Sequence, residues 1–406
     1  MRILFITNWF PYPPNAGHPL RTYNLLSRLG REHEIWVMSF VRSQEETAGA
    51  AHLLSFCKGV VTVEAADLGA AAQPLTWLRY VLAGIPPDLR LHMNAAMIRK
   101  LRDLVTKVNF DIVDIEDSYM ALYREALPRE STAKTLLVFH DVVFRKYARM
   151  YRLEPKLGRK IRLWLHSTMM RRWEPRYAER FDHCIAVSEL DRQVLTRANP
   201  RLKLDVVPNG VDTRLYQPLP FNSDQPVLLF VGNMNYRPNV DAMLYFVESI
   251  LPLVRRATPA AHLWIVGRDP CAEIVGLACE GITVTGEVED LRPYYRDAAV
   301  CVVPLRAGSG TRLKILEAMA LGRPVVSTSL GCEGLAAVDG EHLLIANAAD
   351  DFAEKVVALL RDQRLRQQIV EAGRRLVVSH YDWDALAQRL AQIYAAVATE
   401  GDTHEN

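Results

Sequence analysis

The sequence predicts an α/β protein of two doubly wound, parallel-sheet domains facing a cleft, and three observations predict it. At 406 residues the chain exceeds the usual single-domain size, so two domains of roughly 150–200 residues are expected. Short apolar runs alternate with amphipathic ones almost throughout, which is how strands covered by helices on both faces read. A polar, proline-rich linker, "VDTRLYQPLPFNSDQP", follows the turn "PNG" at 208–210, and the alternation then starts afresh.

In the first half, strands are expected at "RILFIT", "EIWVMSF", "DIVDIE", "TLLVFH", "HCIAVS" and "KLDVVP". Helical patterns such as "LRTYNLLSRLG" and "AAMIRKLRDLVTKV" lie between them. Ser188 followed by Asp191 resembles a capping box and starts a helix at Glu189. In the second half, strands "VLLFVG", "HLWIVG", "ITVTG", "AVCVVPL" and "PVVST" alternate with helices near 239–256, 290–297 and 312–321. A final amphipathic helix, "DALAQRLAQIYAAVAT", closes the pattern. In Rossmann-like sheets of this kind, ligands sit at the carboxyl ends of the strands.

Composition narrows the function classes. A chain that is 50% hydrophobic and 24% charged reads as soluble and globular. A net charge of +2 excludes neither anionic ligands nor acidic partners, and no recognition motif accompanies the basic residues, so no nucleic acid is expected. The six cysteines form no CxxC pair and no metal-like grouping with histidine, which predicts buried free thiols in a reducing compartment and no metal. The opening "MRILFITNWF" is too short and too early in its polar break for a signal peptide. No stretch approaches the roughly 18 uninterrupted apolar residues of a spanning helix. A cytoplasmic protein is expected, one that can still lie peripherally on the inner face of a membrane. Residues 145–180 carry that second reading, with twelve Lys or Arg against three glutamates, interleaved with Leu163, Trp164, Leu165, Met169, Met170 and Trp173. A basic amphipathic helix of this kind suits an anionic membrane surface; it could also be a helix packed on its domain with a solvated cationic face, or suit an acidic soluble acceptor.

The most informative stretch is "GSGTRLKILEAMALGRPVVST", residues 308–328. Gly308 and Gly310 let backbone N–H groups approach a ligand closely, and Ser309 and Thr311 add hydroxyls. The following helix start, with Arg312 and Lys314, favours a phosphate. A plain capped loop with Thr311 or Ser309 as N-cap and solvated cations fits the same residues. Glu317 sits among apolar neighbours three positions after Lys314, where a carboxylate needs a partner. That partner is either the two hydroxyls of a ribose or Lys314 in a surface ion pair. Phosphate donors followed by a polyol acceptor point to a sugar nucleotide.

Together, "PLRAGSGTRLKILEAMALGRPVVST", "VVPNGVDTRLYQP", "LLFVGNM", "LWIVG" and "VTGEVEDLRPYYRDAAVCVVP" resemble, in order and spacing, the family 4 retaining glycosyltransferases of the GT-B fold. The resemblance is strongest over 181–335. The N-terminal "FPYPPNAGHPLRTYNLLSRL" is similar to that family's glycine-containing first loop, with Gly17 followed by His18 where paired glycines are usual. The resemblance implies transfer of a sugar from a nucleotide-sugar donor to a polysaccharide or lipid-linked acceptor, with retention and without a cofactor or metal. It implies an acceptor-side domain at 1–207, joined by the C-terminal helix 380–400, and a donor-binding domain at 208–379. It implies donor contacts at Gly17, Asn233, Arg237, Gly308, Ser309, Gly310, Thr311, Arg312, Lys314 and Glu317, with Lys314 and Glu317 also catalytic. Ser309 stands where the family often has the first of two glutamates, and Asn233 where it often has arginine, which leaves the diphosphate to Arg237, Arg312 or Lys314. His140, ending "TLLVFH", resembles the catalytic histidine beside the reacting sugar; the plain alternative is a loop histidine partnered by Asp141. Asp114, Glu116 and Asp117 are alternative acceptor-side carboxylates. Two other functions fit the same motifs: a nucleotide-sugar epimerase of this fold, and a non-catalytic nucleotide-sugar-binding protein.

Overall fold

A computed structural model describes residues 1–65, 80, 84–220, 225–308 and 312–400. The chain divides into two compact units, Met1–Pro208 with Leu386–Asn406, and Asn209–Ala385.

The first unit is a seven-stranded parallel sheet, ordered β3-β2-β1-β4-β5-β6-β7. Its strands are β1 (Arg2–Thr7), β2 (Glu34–Val41), β3 (Gly59–Glu64), β4 (Ile112–Glu116), β5 (Lys134–Phe139), β6 (His183–Ala186) and β7 (Leu204–Val206). "RILFIT" is buried at every position after Arg2, because helices cover both faces of a parallel sheet. One face carries a core that includes Leu4, Ile6, Val113, Ile115, Leu137 and Phe139. Ser188 caps the helix Glu189–Ala198 by accepting from the Asp191 N–H, as its spacing predicts. Within this unit, Tyr394 of the helix Trp383–Thr399 donates its hydroxyl to Asp114 on β4.

The second unit is a six-stranded parallel sheet, ordered β10-β9-β8-β11-β12-β13. Its strands are β8 (Val227–Val231), β9 (His262–Val266), β10 (Ile282–Gly286), β11 (Val300–Val303), β12 (Val325–Ser327) and β13 (Leu344–Ile345). Side chains alternate across the pleat. Leu228, Phe230, Val300 and Val302 therefore enter one core, while Leu229, Val231, Cys301 and Val303 enter the core on the opposite face. In both units the strand order reverses at the first strand, between β1 and β4 and between β8 and β11. Such a switch point opens a crevice at the carboxyl ends of the strands.

The structure differs from the sequence reading in four places. Strands β3 and β13 were not expected: β3 is an edge strand with most residues only partly buried, and β13 has two residues. The helix expected near 239–256 is three segments, Arg237–Tyr245, a π-helical turn at Phe246–Ile250, and Leu251–Ala257. Pro252 explains the interruption, since it has no N–H to return to the preceding turn. Residues 145–180 form two helices, Val143–Leu153 and Leu157–Ala178, parted at Glu154 and Pro155. There Met170 is in the core and Trp173 packs against it, so the outward apolar face is Met150, Leu157, Ile161, Trp164 and Leu165. Finally, all six cysteines are free, but Cys279 is exposed and Cys271 half-buried, while the other four are buried as expected.

Candidate functional site

In the second unit the switch point is shaped by two glycines. Gly232 follows β8 and Gly267 follows β9, the latter with φ +142°. A Cβ on Gly267 would lie 1.8 Å from the Gly232 carbonyl oxygen, so only glycine lets these strand ends lie against each other. A Cβ on Gly232 would lie 2.9 Å from Lys314 Nζ. The bare backbone there makes room for that ammonium.

Lys314 reaches this point from the first turn of the helix Leu313–Ala320, which follows β11 and its loop. Its Nζ donates to Asn239 Oδ1 at 3.1 Å and sits 4.0 Å from the centre of the Phe230 ring. Among the described residues no carboxylate lies at ion-pair distance, and burial, with Arg312 next to it, pushes its pKa down to about 7 against the more distant Glu317 charge. Glu317 lies one turn further along and accepts from the Tyr295 hydroxyl at 3.2 Å. Burial raises its carboxyl above the ordinary value, against the Tyr295 hydrogen bond and the Lys314 charge. Lys314 thus turns to Asn239 rather than forming the surface ion pair that its spacing from Glu317 allowed.

The other donor-side candidates separate by environment. Gly308 has φ +108°, a conformation that L side chains rarely adopt. Ser309, Gly310 and Thr311 lie outside the described residues. The N-cap of the helix is Arg312, buried and making no side-chain cap hydrogen bond; the alternative cap from Thr311 or Ser309 falls outside the described residues. Asn233 accepts from the Asn235 N–H at 2.8 Å, donates to Asp269 at 3.2 Å and gives its carbonyl to Asn239 Nδ2 at 2.8 Å. Arg237 is exposed and ion-paired with Glu273 at 2.8 Å. Of the three cations open for the diphosphate, Arg312 and Lys314 are therefore the ones at the buried helix start. Asn239 and Tyr295, which hold Lys314 and Glu317, were missed in the sequence. The only signal for Asn239 was an amide in the first turn after a glycine loop.

In the first unit the carboxyl ends of β1, β4 and β5 gather a second group. His140 directly follows β5, and its Nε2 is hydrogen-bonded to the Glu116 carboxylate at the end of β4. His140 and Glu116 are 5% and 2% exposed, so the pair is sealed from bulk water. The plain reading of His140 is corrected here: its partner is Glu116, while Asp141 pairs with Lys146 at 3.3 Å. The His18 ring stacks on His140 with centroids 4.2 Å apart. Gly17 opens the same helix, Gly17–Leu29, and a Cβ there would meet nothing within 4 Å. Asp114 and Asp117 are buried, Asp114 accepting from Tyr394 and Asp117, with φ 91°, accepting from the Tyr119 N–H at 3.2 Å. Among the described residues, no group of three or more His, Cys, Asp or Glu side chains could hold a metal ion. No helix among them is long and apolar enough to cross a membrane.

Comparison with known proteins accounts for both units. Residues 17–215 match the family model described as Glycosyltransferase Family 4, and residues 225–362 the model described as Glycosyl transferases group 1. The phosphatidyl-myo-inositol mannosyltransferase of Mycobacterium leprae (strain TN) is 31% identical over 325 residues, covering 77% of this chain and 80% of that protein. Sucrose-phosphate synthase from Thermosynechococcus elongatus superposes with TM-score 0.71 at 18% identity, covering 98% of each chain. The Anabaena protein HepE in complex with UDP-glucose gives TM-score 0.67 at 16% identity, over 98% of this chain and 100% of that one. The architecture is that of the GT-B glycosyltransferases, with a parallel-sheet α/β domain in each unit. On its two family matches and its mycobacterial relative, the chain belongs to the family 4 glycosyltransferases and is a glycosyl-transferring enzyme.

Proposed function

We propose that the second unit binds a nucleotide-sugar donor at its switch point, and that the sugar passes with retention to a glycan or lipid-linked acceptor. The observation that carries this reading is Lys314, a buried amine at the carboxyl edge of a parallel sheet whose Nζ contacts among the described residues are the neutral Asn239 and Phe230. A diphosphate supplies the charge that such a cation lacks. Arg312, Gly308 and the adjoining 309–311 backbone share the phosphates, and Asn233 lines the loop after β8 in the position that often holds arginine. Glu317, one turn along, accepts the ribose hydroxyls, which offset its burial. The relative's name supports a lipid acceptor, and the HepE complex with UDP-glucose supports a sugar nucleotide. His140 of the first unit contacts the transferred sugar. Glu317→Gln keeps the shape of the side chain and weakens one or two charged hydrogen bonds. Affinity for the preferred donor, found by titrating UDP-, GDP- and ADP-sugars, should fall roughly ten- to a hundredfold. Unchanged affinity in the folded variant removes Glu317 from the donor site. Retention is read from the anomeric configuration of the product by proton NMR.

The acceptor reading extends to where the enzyme works, on the inner face of a membrane. Leu157, Ile161, Trp164 and Leu165 are exposed in the first part of the helix Leu157–Ala178, with Arg159, Arg162, Arg171 and Arg172 also exposed along it. Apolar side chains ringed by cations suit an anionic lipid surface, where each nearby cation contributes about 1 kcal/mol. The protein should sediment with vesicles containing anionic lipid and not with neutral ones. Binding should weaken with salt and drop when Arg159, Lys160, Arg171 and Arg172 become glutamine. A protein that ignores anionic vesicles at low salt works away from the membrane.

A further inference from the structure

Beneath His140 lies a buried network that the transfer reaction, as read so far, leaves unused. Asp114 and Glu116 stand two residues apart on β4 and so share one face of the strand. Their surroundings drive them to opposite states. Burial and the charge of Glu116 push the Asp114 carboxyl well above its ordinary value, against the Tyr394 hydrogen bond and Arg21. Burial would also raise Glu116, but its hydrogen-bond partner His140, with Arg21, brings it below its ordinary value. Arg21 is itself anchored, donating to the Pro208 carbonyl at 2.7 Å. The carboxylate that faces His140 is therefore Glu116.

An ionised carboxylate only accepts hydrogen bonds, so the proton of this contact sits on His140 Nε2. The other ring nitrogen, Nδ1, is buried and has no hydrogen-bond partner among the described residues. His18 stacks on one face of the ring, with 28° between planes. Burial above all holds the His18 pKa well below its ordinary value, so the stacked ring adds no positive charge. Among the described residues, Nε2 is hydrogen-bonded and one ring face is stacked, while Nδ1 has no hydrogen-bond partner. A single unmet acceptor on an otherwise fixed ring fits a hydroxyl of the sugar or the acceptor.

We propose that Glu116 is a positioning residue for transfer, acting through His140: it accepts the hydrogen bond that Nε2–H donates, keeps the proton on that nitrogen, and leaves Nδ1 bare to accept a hydrogen bond from a substrate hydroxyl. The proposal rests on the reading that His140 contacts the transferred sugar. Glu116→Gln is the informative variant, because an amide presents both an acceptor oxygen and a donor nitrogen and no longer dictates which ring nitrogen carries the proton. Turnover is measured as release of nucleoside diphosphate from whichever of UDP-glucose, UDP-N-acetylglucosamine, GDP-mannose and ADP-glucose is used best. Glu116→Gln should lower kcat roughly ten- to a hundredfold with KM for the donor nearly unchanged, and Glu116→Asp, which keeps the charge, should recover part of the loss. In a His140→Ala background the same substitution should cost no further activity, since the residue acts through a ring that is gone. Histidine 15N spectra, with His140 assigned from the His140→Gln variant, should show a protonated Nε2 and bare Nδ1 in the native enzyme. They should show mixed tautomers in Glu116→Gln. A loss from Glu116→Gln that persists without His140, or a native His140 protonated at Nδ1, overturns the proposal. Normal turnover by His140→Ala instead removes the reading on which it rests.

Discussion

His140→Ala should cut turnover roughly a hundredfold or more while leaving nucleoside diphosphate affinity nearly intact. The expected size is that of losing one positioned polar contact made as the sugar leaves its diphosphate. The nucleotide contacts proposed here belong to Gly308–Glu317 of the other unit, so kcat and nucleotide binding should separate. Alanine has a second effect. It leaves the Glu116 carboxylate buried without its histidine partner and with only the Arg21 charge to offset it, and breaking one partner of a buried pair typically costs up to about 3–5 kcal/mol. His140→Gln, whose amide can still donate to Glu116, should recover much of the stability and little of the turnover. Thermal unfolding beside kcat and KM for both variants reads the two effects apart. A glutamine variant with native turnover returns His140 to a purely structural role.

Lys314→Met should lower turnover by roughly a hundredfold or more and also abolish a proton uptake that accompanies donor binding. Burial holds the ammonium at about 7, against an ordinary 10.5, so much of it is neutral in the ligand-free enzyme at pH 8. A diphosphate favours the charged form and raises that value. Binding of UDP, GDP or ADP at pH 8 should therefore take up a proton, and affinity should decline as pH rises from about 7 toward the bound-state value. Titration calorimetry in two buffers of different ionisation enthalpy measures the uptake. Stability carries the same linkage with its own sign. Between about 7 and 10.5 the unfolded chain binds a proton that the folded, ligand-free chain does not, so folding stability contributed by this group rises with pH across that window. Methionine removes both dependences. It also removes charge from a leaving group whose negative charge grows in the transition state, so turnover should fall more than binding. Proton uptake that survives in Lys314→Met would place the diphosphate on another group.

The strands of both sheets that end at the candidate sites were legible in the sequence because each is a continuous apolar run. A strand buried on two faces, such as "VLLFV", has almost no other reading. The ones that escaped had weaker burial or too little length, as β3 and β13 show. The basic segment at 145–180 was visible as charge and aromatic content, but not as two helices with Met170 and Trp173 turned inward. Composition reports what a face contains, whereas packing decides which face is outward.

The candidate site divides the same way. The sequence by itself determined two parallel-sheet domains and a glycine-rich loop leading to Lys314 and Glu317. It also determined a histidine at a strand's carboxyl end, because these depend on local pattern and spacing. Only the tertiary structure decided what those side chains face. Asn239 is 75 positions from the Lys314 it receives, Glu116 is 24 from His140, and Asp114 is 280 from Tyr394. Partners at such separations are set by which strands lie side by side in a sheet and by which side chains that pairing buries together. No periodicity along the chain encodes that. The charge state of each group follows from the same burial, which is why Lys314 is driven toward neutrality, Glu116 is kept ionised and Asp114 is pushed toward its protonated form.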